Sequence, residues 1–170
     1  LMQGKIFREK EIKIKVKEEL EIVQFYLYLQ KSRYQAKLSY EVKLEDEKIG
    51  EDLIPRLLIE PLVENAVSHG LEPKREKGNL QVLLYEREML YIWVKDDGVG
   101  VGQNQMKAEE NKENIPHTHV GWENTKKMLR ILYGDHYKFQ VWSEPGKGTE
   151  IEIAVPIERG GNYVESDSSR

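Results

Sequence analysis

The residues able to do chemistry lie in four short segments. In chain order they are Glu60-Pro61-Leu62-Val63-Glu64-Asn65-Ala66-Val67-Ser68-His69-Gly70, Asp96-Asp97-Gly98-Val99-Gly100, His119-Val120-Gly121-Trp122-Glu123-Asn124 and Gly146-Lys147-Gly148-Thr149. Asn65 offers a carboxamide oxygen, a suitable ligand for Mg²⁺, a hard ion that keeps several waters and otherwise takes phosphate oxygens. Glu64, next to it, can orient a metal-bound water or act as a base; a solvated helix acid is the plainer alternative. His69 follows Asn65 by one helical turn and shares its face, either approaching a phosphate or packing at the surface. Gly121 and Asn124 open a further helix, whose free N–H groups and positive end suit phosphate.

Each segment alone has an ordinary structural explanation. A helix with Glu-Asn beside apolar residues is usually only a helix, and Asp-Asp-Gly-Val-Gly is usually a turn. Gly146-Lys147-Gly148-Thr149 reads as a hairpin turn. It is not a phosphate-binding P-loop, because Gly148 stands where Ser or Thr must follow the Gly-Lys pair. Lys126, Lys127 and Arg130 are candidate counter-charges for phosphate, with a solvated helix face the alternative. His117 and His119 have the spacing of metal ligands, but no further ligand accompanies them, and that reading is rejected.

The elements that must position these residues follow from periodicity. Ile12, Ile14 and Val16 alternate with lysines in a short extended segment. Residues 17–35 form an amphipathic helix with Leu20, Val23, Leu27 and Gln30 on one face and Ile22, Tyr26 and Leu29 beside it; Glu18, Glu19 and Glu21 favour its N-terminus. Residues 37–45 alternate as a half-buried strand. A second helix is expected from about Leu53 to Leu71, with Pro55 in its first turn and Gly70 as its stop; Pro61 either kinks it or starts a new helix. Leu80, Val82 and Leu84, then Tyr91, Trp93 and Lys95, form an antiparallel strand pair. Residues 103–119 are almost wholly polar and read as a functional lid or a disordered loop. A helix over 120–133 has Met128, Leu129 and Leu132 as core candidates. Phe139, Val141 and Trp142 form a strand, and Ile151, Ile153 and Val155 a last one. This order predicts an α+β, two-layer α/β sandwich with a mixed, largely antiparallel sheet covered by helices on one face.

The chain has 170 residues, 39% hydrophobic and 33% charged, enough for one domain with a sizeable core. A net charge of −4 gives no electrostatic footprint for nucleic acid. The absence of cysteine excludes disulfides and thiol nucleophiles. No apolar run approaches the roughly 20 residues of a membrane helix. Any anchor of a membrane-bound parent therefore lies in segments outside this chain, and the chain itself is expected in the cytoplasm.

In this order, the four segments resemble the asparagine box and the three glycine boxes of the GHKL ATPases, which include gyrase, MutL and the histidine kinases. Residues 61–70 look like the LytS-type sensor kinases in particular. Residues 18–27 and 30–34 are similar to the segment that enters their catalytic domain. The resemblance spans about residues 17–157. It implies a Bergerat-type fold and the cofactors ATP and Mg²⁺. Asp96 would accept a hydrogen bond from the adenine amino group, which guanine lacks at that position. The Gly98, Gly100 and Gly102 turn would lie along the base, and Thr149 would bond near it through Asp96 or a water. Asn65 would hold the metal, and Gly121, Asn124 and His69 would face the phosphates.

The implied function is the catalytic domain of a two-component sensor histidine kinase, passing the γ-phosphate to a histidine. The alternatives are a non-catalytic ATP-binding interaction module and a protein-serine kinase of the anti-sigma type. His69, His117, His119 and His136 all fall in the catalytic region, so the acceptor is expected on a dimerisation domain outside this chain. The chain is then expected to bind ATP without labelling itself. Further implied partners are a response-regulator receiver domain and a second copy of the parent protein. Residues 1–35 would end the linker and dimerisation region, 36–158 would form the ATP-binding domain and 159–170 a flexible tail. The family usually has glycine at His119 and leucine at Trp122, so the lid hinge here is stiffer and bulkier. Its hydrolytic members carry a base glutamate where Pro61 stands, and proline cannot activate water.

Overall fold

The computed structural model describes residues 12–102 and 120–160. Strand β1 (Lys13–Lys15) runs directly into helix α1 (Val16–Tyr34). Glu18 secures the start of α1 by accepting the Lys15 N–H at 2.8 Å. Val16, Leu20, Val23 and Leu27 are buried, as the periodicity predicts. Ile22 and Leu29, expected beside that face, are 48% exposed. Glu19, expected to favour the helix N-terminus by its charge, is fully buried. Its Oε1 accepts the Ile59 N–H at 2.6 Å and the Glu60 N–H at 3.2 Å.

Glu19 thereby supplies the cap for a helix distant in sequence. The single helix expected over 53–71 is three elements. Strand β3 (Leu53–Pro55) pairs antiparallel with β1, so Pro55 ends a strand and does not open a helix. Helix α2 (Glu60–Asn65) begins with Pro61 in its first turn, where a missing N–H costs nothing. A π-helical segment, Ala66–Leu71, continues it. Gly70 therefore lies inside helical structure and does not stop it. Ile59, the residue before α2, has no capping side chain of its own. The buried carboxylate of Glu19 fills that role.

Among the described residues, five strands form the main sheet, β2 (Leu38–Leu44), β4 (Gly78–Glu86), β5 (Leu90–Asp96), β6 (Lys138–Glu144) and β7 (Gly148–Val155), in the order β2-β4-β5-β7-β6. Only β2 and β4 run parallel; the expected pair β4 and β5 is antiparallel, as are β5–β7 and β6–β7. Register sets one face. Val82, Val94 and Ile151 align across the sheet, as do Leu84, Ile92 and Ile153. All six are buried in one core with α1, α2 and Leu129 of α3 (Val120–Tyr133). The other face is polar and aromatic: Trp93 Nε1 donates to Glu150 at 2.7 Å and the Tyr85 hydroxyl to Glu152 at 2.6 Å. This is the mixed, one-face-covered sheet predicted. Helix α1 shares the core with the rest.

The C-terminal strand end is tied back. Leu53 N–H donates to Glu158 at 2.7 Å and Gly160 N–H to Glu51 at 2.9 Å, while Arg159 spans the buried Asp52 (2.5 Å) and Glu86 (2.9 Å). Burial and the neighbouring Glu86 carboxyl raise the Asp52 pKa to about 6. Of the expected tail, Arg159 and Gly160 are thus anchored, and residues 161–170 lie outside the described residues. Among the described residues, no helix is long and apolar enough to cross a membrane.

Burial raises the pKa of Glu19 to about 7 from its ordinary 4.5, against the lowering effect of the N–H groups it accepts. Between those values the folded chain holds a proton that the unfolded chain has released, so stability falls as pH rises through the window. Asp96, raised to about 6, acts in the same sense. Thermal melts between pH 4.5 and pH 7 should show this decline, and Glu19→Gln should make it shallower while keeping an acceptor for α2. Glu19→Ala leaves the N–H groups unpaired and should cost about 1–3 kcal/mol. A slope unchanged in Glu19→Gln would show that this carboxyl does not titrate there.

Candidate nucleotide site

One transverse row of side chains at the end of the sheet, on its covered face, organises the site. Register aligns Leu80 of β4, Asp96 of β5, Thr149 of β7 and Ser143 of β6. Asp96 is the last residue of its strand and is only 4% exposed. Its Oδ1 accepts the Gly98 N–H at 2.8 Å. Burial pushes its pKa up to about 6, opposed by N–H donation from Gly98 and Thr149 and supported by the nearby Asp97. The Thr149 hydroxyl shares a 2.8 Å hydrogen bond with Ser143 Oγ. Ser143 also receives the Val101 N–H at 2.9 Å, which pins the chain leaving the glycine turn.

Asp96 borders a cleft between the helical layer and the glycine turn. Its floor is apolar, from Val94, Ile151 and Leu62. Asn65, Ala66 and His69 form one wall; Gly100, Val101 and Thr149 form the opposite side, with Trp122 at the edge. A π-helical turn at this place is informative, since such segments are frequent at functional sites.

Backbone surrounds the Asp96 carboxylate closely. A Cβ on Gly70 would lie 2.6 Å from Asp96 Oδ1. On Gly148, at φ +99°, it would lie 2.0 Å from the Asp96 carbonyl oxygen. Gly98 and Gly100 were expected to admit a base; their immediate neighbours are instead protein backbone, the Gly70 carbonyl and the Glu144 carbonyl. The glycines thus first serve the packing of the turn, and Gly100 also faces the cleft.

The remaining predicted residues take various positions. Glu64 is exposed beside the half-buried Asn65, and Asn124 is exposed on α3. Gly121 sits in the first turn of α3, as expected. Gly102 follows the turn with room to spare: a Cβ there would come no closer than 3.8 Å to the Pro145 ring. Lys126 is paired with Glu123 at 3.1 Å and lies over the Phe139 ring; Lys127 and Arg130 are exposed. The lid expected over 103–119, with His117 and His119, lies outside the described residues. Sequence reasoning missed Gly70 as a contact of Asp96, and Ser143. The register of β6 on β7 places Ser143 opposite Thr149, and nothing local in the sequence announces that.

Comparison with known proteins agrees with this geometry. Residues 50–159 match the family described as "Histidine kinase-, DNA gyrase B-, and HSP90-like ATPase". Sensor histidine kinase YesM of Bacillus subtilis is 27% identical over 92% of this chain and 26% of its own length. Sensor protein kinase HptS of Staphylococcus aureus is 24% identical over 86% of this chain and 29% of its own length. The chain thus spans about a quarter of these curated relatives. Among solved structures, the histidine kinase domain of the Erythrobacter litoralis EL346 blue-light activated kinase superposes with a TM-score of 0.61 at 20% identity, covering 85% of this chain and 62% of that one. The mycobacterial sensor histidine kinase MprB gives 0.57 at 15%, covering 86% and 97%. These structural likenesses establish the same fold.

The contact of Gly70 with Asp96 is testable by a double-mutant cycle. Gly70→Ala should destabilise by about 1–3 kcal/mol through overpacking. In an Asp96→Ala background the added methyl finds room, so the two changes should be non-additive by about 1 kcal/mol or more in denaturant unfolding. Additive costs would mean that the methyl meets something other than the carboxylate.

Proposed function

Because this chain belongs to the histidine kinase-, DNA gyrase B-, and HSP90-like ATPase family, we propose that it is the ATP-binding catalytic domain of a sensor histidine kinase of the LytS type. The observation that carries this reading is the buried Asp96 carboxylate at the edge of an apolar-floored cleft. Adenine offers an amino donor to such an acceptor and a flat apolar surface to Val94, Ile151 and Leu62. Guanine would set a carbonyl oxygen against the carboxylate, and two facing acceptors repel. Discrimination by a buried polar group is of the strong kind, because the wrong base leaves that group unpaired.

Asn65 stands on the opposite wall, where the phosphates of a nucleotide bound at Asp96 would extend. Its donor chemistry fits Mg²⁺, which takes one or two protein oxygens and completes its shell with phosphate and water. When bound, the ion would neutralise phosphate charge. His69 borders the cleft on the same wall, and Gly121 and Asn124 belong to the first turn of α3, whose positive end suits an anion. Glu64 is exposed beside Asn65 and is assigned the role of orienting or deprotonating the incoming nucleophile.

In the proposed reaction an imidazole nitrogen attacks the γ-phosphorus, the bond to the β-phosphate bridging oxygen breaks, ADP leaves and the imidazole loses its proton. Such transfer needs mainly alignment and charge stabilisation. The acceptor histidine is assigned to the dimerisation domain of the parent protein, a homodimer anchored in the membrane through its other segments. The catalytic domain lies on the cytoplasmic side, where a response-regulator receiver domain takes the phosphoryl group. Pro61 sits in the first turn of α2, where a hydrolytic relative would need its base, which favours transfer over hydrolysis.

Thermal unfolding tests the binding step. ATP at about 100 times its dissociation constant should stabilise the chain by roughly 2.7 kcal/mol. GTP should give no shift, and Asp96→Asn should lose the ATP shift. Equal shifts with both nucleotides would remove adenine from Asp96. Transfer is tested by supplying the parent's acceptor domain with γ-labelled ATP: label should enter that domain and not this chain. Binding without transfer would instead mark an interaction module, and transfer to a serine an anti-sigma-type kinase.

A further inference from the structure

Ser143 joins three groups at the Asp96 end of the cleft. On β6 it lies opposite Thr149 of β7, and Thr149 lies opposite Asp96 of β5. Its hydroxyl accepts the Val101 N–H at 2.9 Å, donates to the Gly148 carbonyl at 3.1 Å and shares a 2.8 Å hydrogen bond with the Thr149 hydroxyl. Two of these partners, Val101 and Thr149, line the cleft beside Asp96. The third, Gly148, packs on the Asp96 backbone: a Cβ there would lie 2.0 Å from the Asp96 carbonyl oxygen.

A serine hydroxyl has one proton to give and two lone pairs with which to accept. The Val101 N–H can only donate, so it takes one lone pair. The Gly148 carbonyl can only accept, so it takes the proton. One lone pair is left for Thr149, whose hydroxyl is then the donor in their shared bond. This is the one arrangement that satisfies all three neighbours. With its only proton turned to Ser143, Thr149 offers a ligand lone pairs alone. Directly opposite residues of an antiparallel pair hold their Cβ atoms about 5 Å apart. Thr149 and the Asp96 carboxylate therefore face the cleft side by side, both as acceptors. An exocyclic amino group, with two N–H donors, matches such a pair. A carbonyl oxygen at the same place meets two acceptors.

We propose that Ser143 is a positioning residue that fixes the direction of the Thr149 hydrogen bond. It thereby makes Thr149 a second determinant, with Asp96, of the preference for a purine bearing an amino group at this edge over one bearing a carbonyl. This rests on the nucleotide reading given above and adds to it a residue that acts through Thr149. Asp96 repels a carbonyl by its charge. Thr149 repels one only while Ser143 holds its proton. Without the Ser143 hydroxyl, the Thr149 proton is free to turn into the cleft and meet a carbonyl oxygen.

The test is calorimetric titration of the whole chain with Mg-ATP and with Mg-ITP, which carries a carbonyl in place of the adenine amino group, beside a melting curve for each variant. Ser143→Ala should lower the ratio of ATP to ITP affinity about threefold to tenfold, the range one hydrogen bond contributes. Ser143→Thr, which keeps the hydroxyl, should hold the ratio within about twofold of the wild type. Thr149→Val alone should also lower the ratio, because it removes an acceptor from the amino group and a repulsion from the carbonyl. In that background Ser143→Ala should leave the ratio where it is. A ratio unmoved by Ser143→Ala or by Thr149→Val, or lowered further when the two are combined, would overturn the positioning role, as would equal loss of both nucleotides. A folded wild type that binds neither nucleotide, or both alike, would instead overturn the nucleotide reading itself.

Discussion

A carboxylate buried at the end of a central strand constrains everything around it. Asp96 is nearly inaccessible, and burial holds its pKa near 6 despite N–H donors from Gly98 and Thr149. A group of this kind must be closely surrounded by donors, and the surroundings must leave one side open for a ligand. The protein meets both demands with backbone. Gly70 comes in from the helical layer closer to the carboxylate than a side chain would allow, Gly148 of the neighbouring strand packs on the Asp96 backbone carbonyl, and Gly98 donates its N–H from the turn that follows. The site is thus a place where three chain segments converge on one residue.

That convergence fixes the relation between the layers. Gly70 can touch Asp96 only if α2 and its π continuation lie directly over the end of β5. The Gly70 carbonyl in turn accepts the Val99 N–H at 2.9 Å, stitching the helix to the glycine turn. The same placement brings Asn65, His69 and the apolar Leu62 to the cleft. The wider π turn shifts the residues after Ala66 relative to a continuous α-helix, so Asn65 and Gly70 need not follow the spacing of a single α-helical face.

The helical layer needs a second anchor because α2 is short and lacks a cap of its own. Burying Glu19 raises its pKa to about 7, a cost the two N–H bonds at Ile59 and Glu60 partly offset. The result is a polar tie across an otherwise apolar core of Val23, Leu27, Ile59 and Leu62. Apolar packing tolerates sliding, whereas a hydrogen-bonded carboxylate does not. This explains why a buried charge appears in a helix that could have packed with apolar residues alone.

Local sequence determined a good deal of this. Alternation in 80–84 and 91–95 predicts the strand pair β4 and β5, because period two is a property of the strand itself, but the register sets Ile92 and Val94, not Tyr91, Trp93 and Lys95, on the face of Val82 and Leu84. Spacing along α1 identifies Leu20, Val23 and Leu27 as core, and the resemblance of the four segments to the GHKL boxes points to Asn65, Asp96 and Thr149, which line one cleft. Other features depended on partners distant in the chain. Pro55 entered a strand because Lys13 stood ready to pair with it; β2 ran parallel to β4 because the intervening helices carry the chain back across the sheet. Glu19 turned inward because α2 began nearby without a cap, and Gly70 became a contact of Asp96 instead of a helix stop. Periodicity reports which side of an element is buried, but not which donor, acceptor or backbone will meet it there. Those pairings arise only when the layers close, and they decided how the site is built.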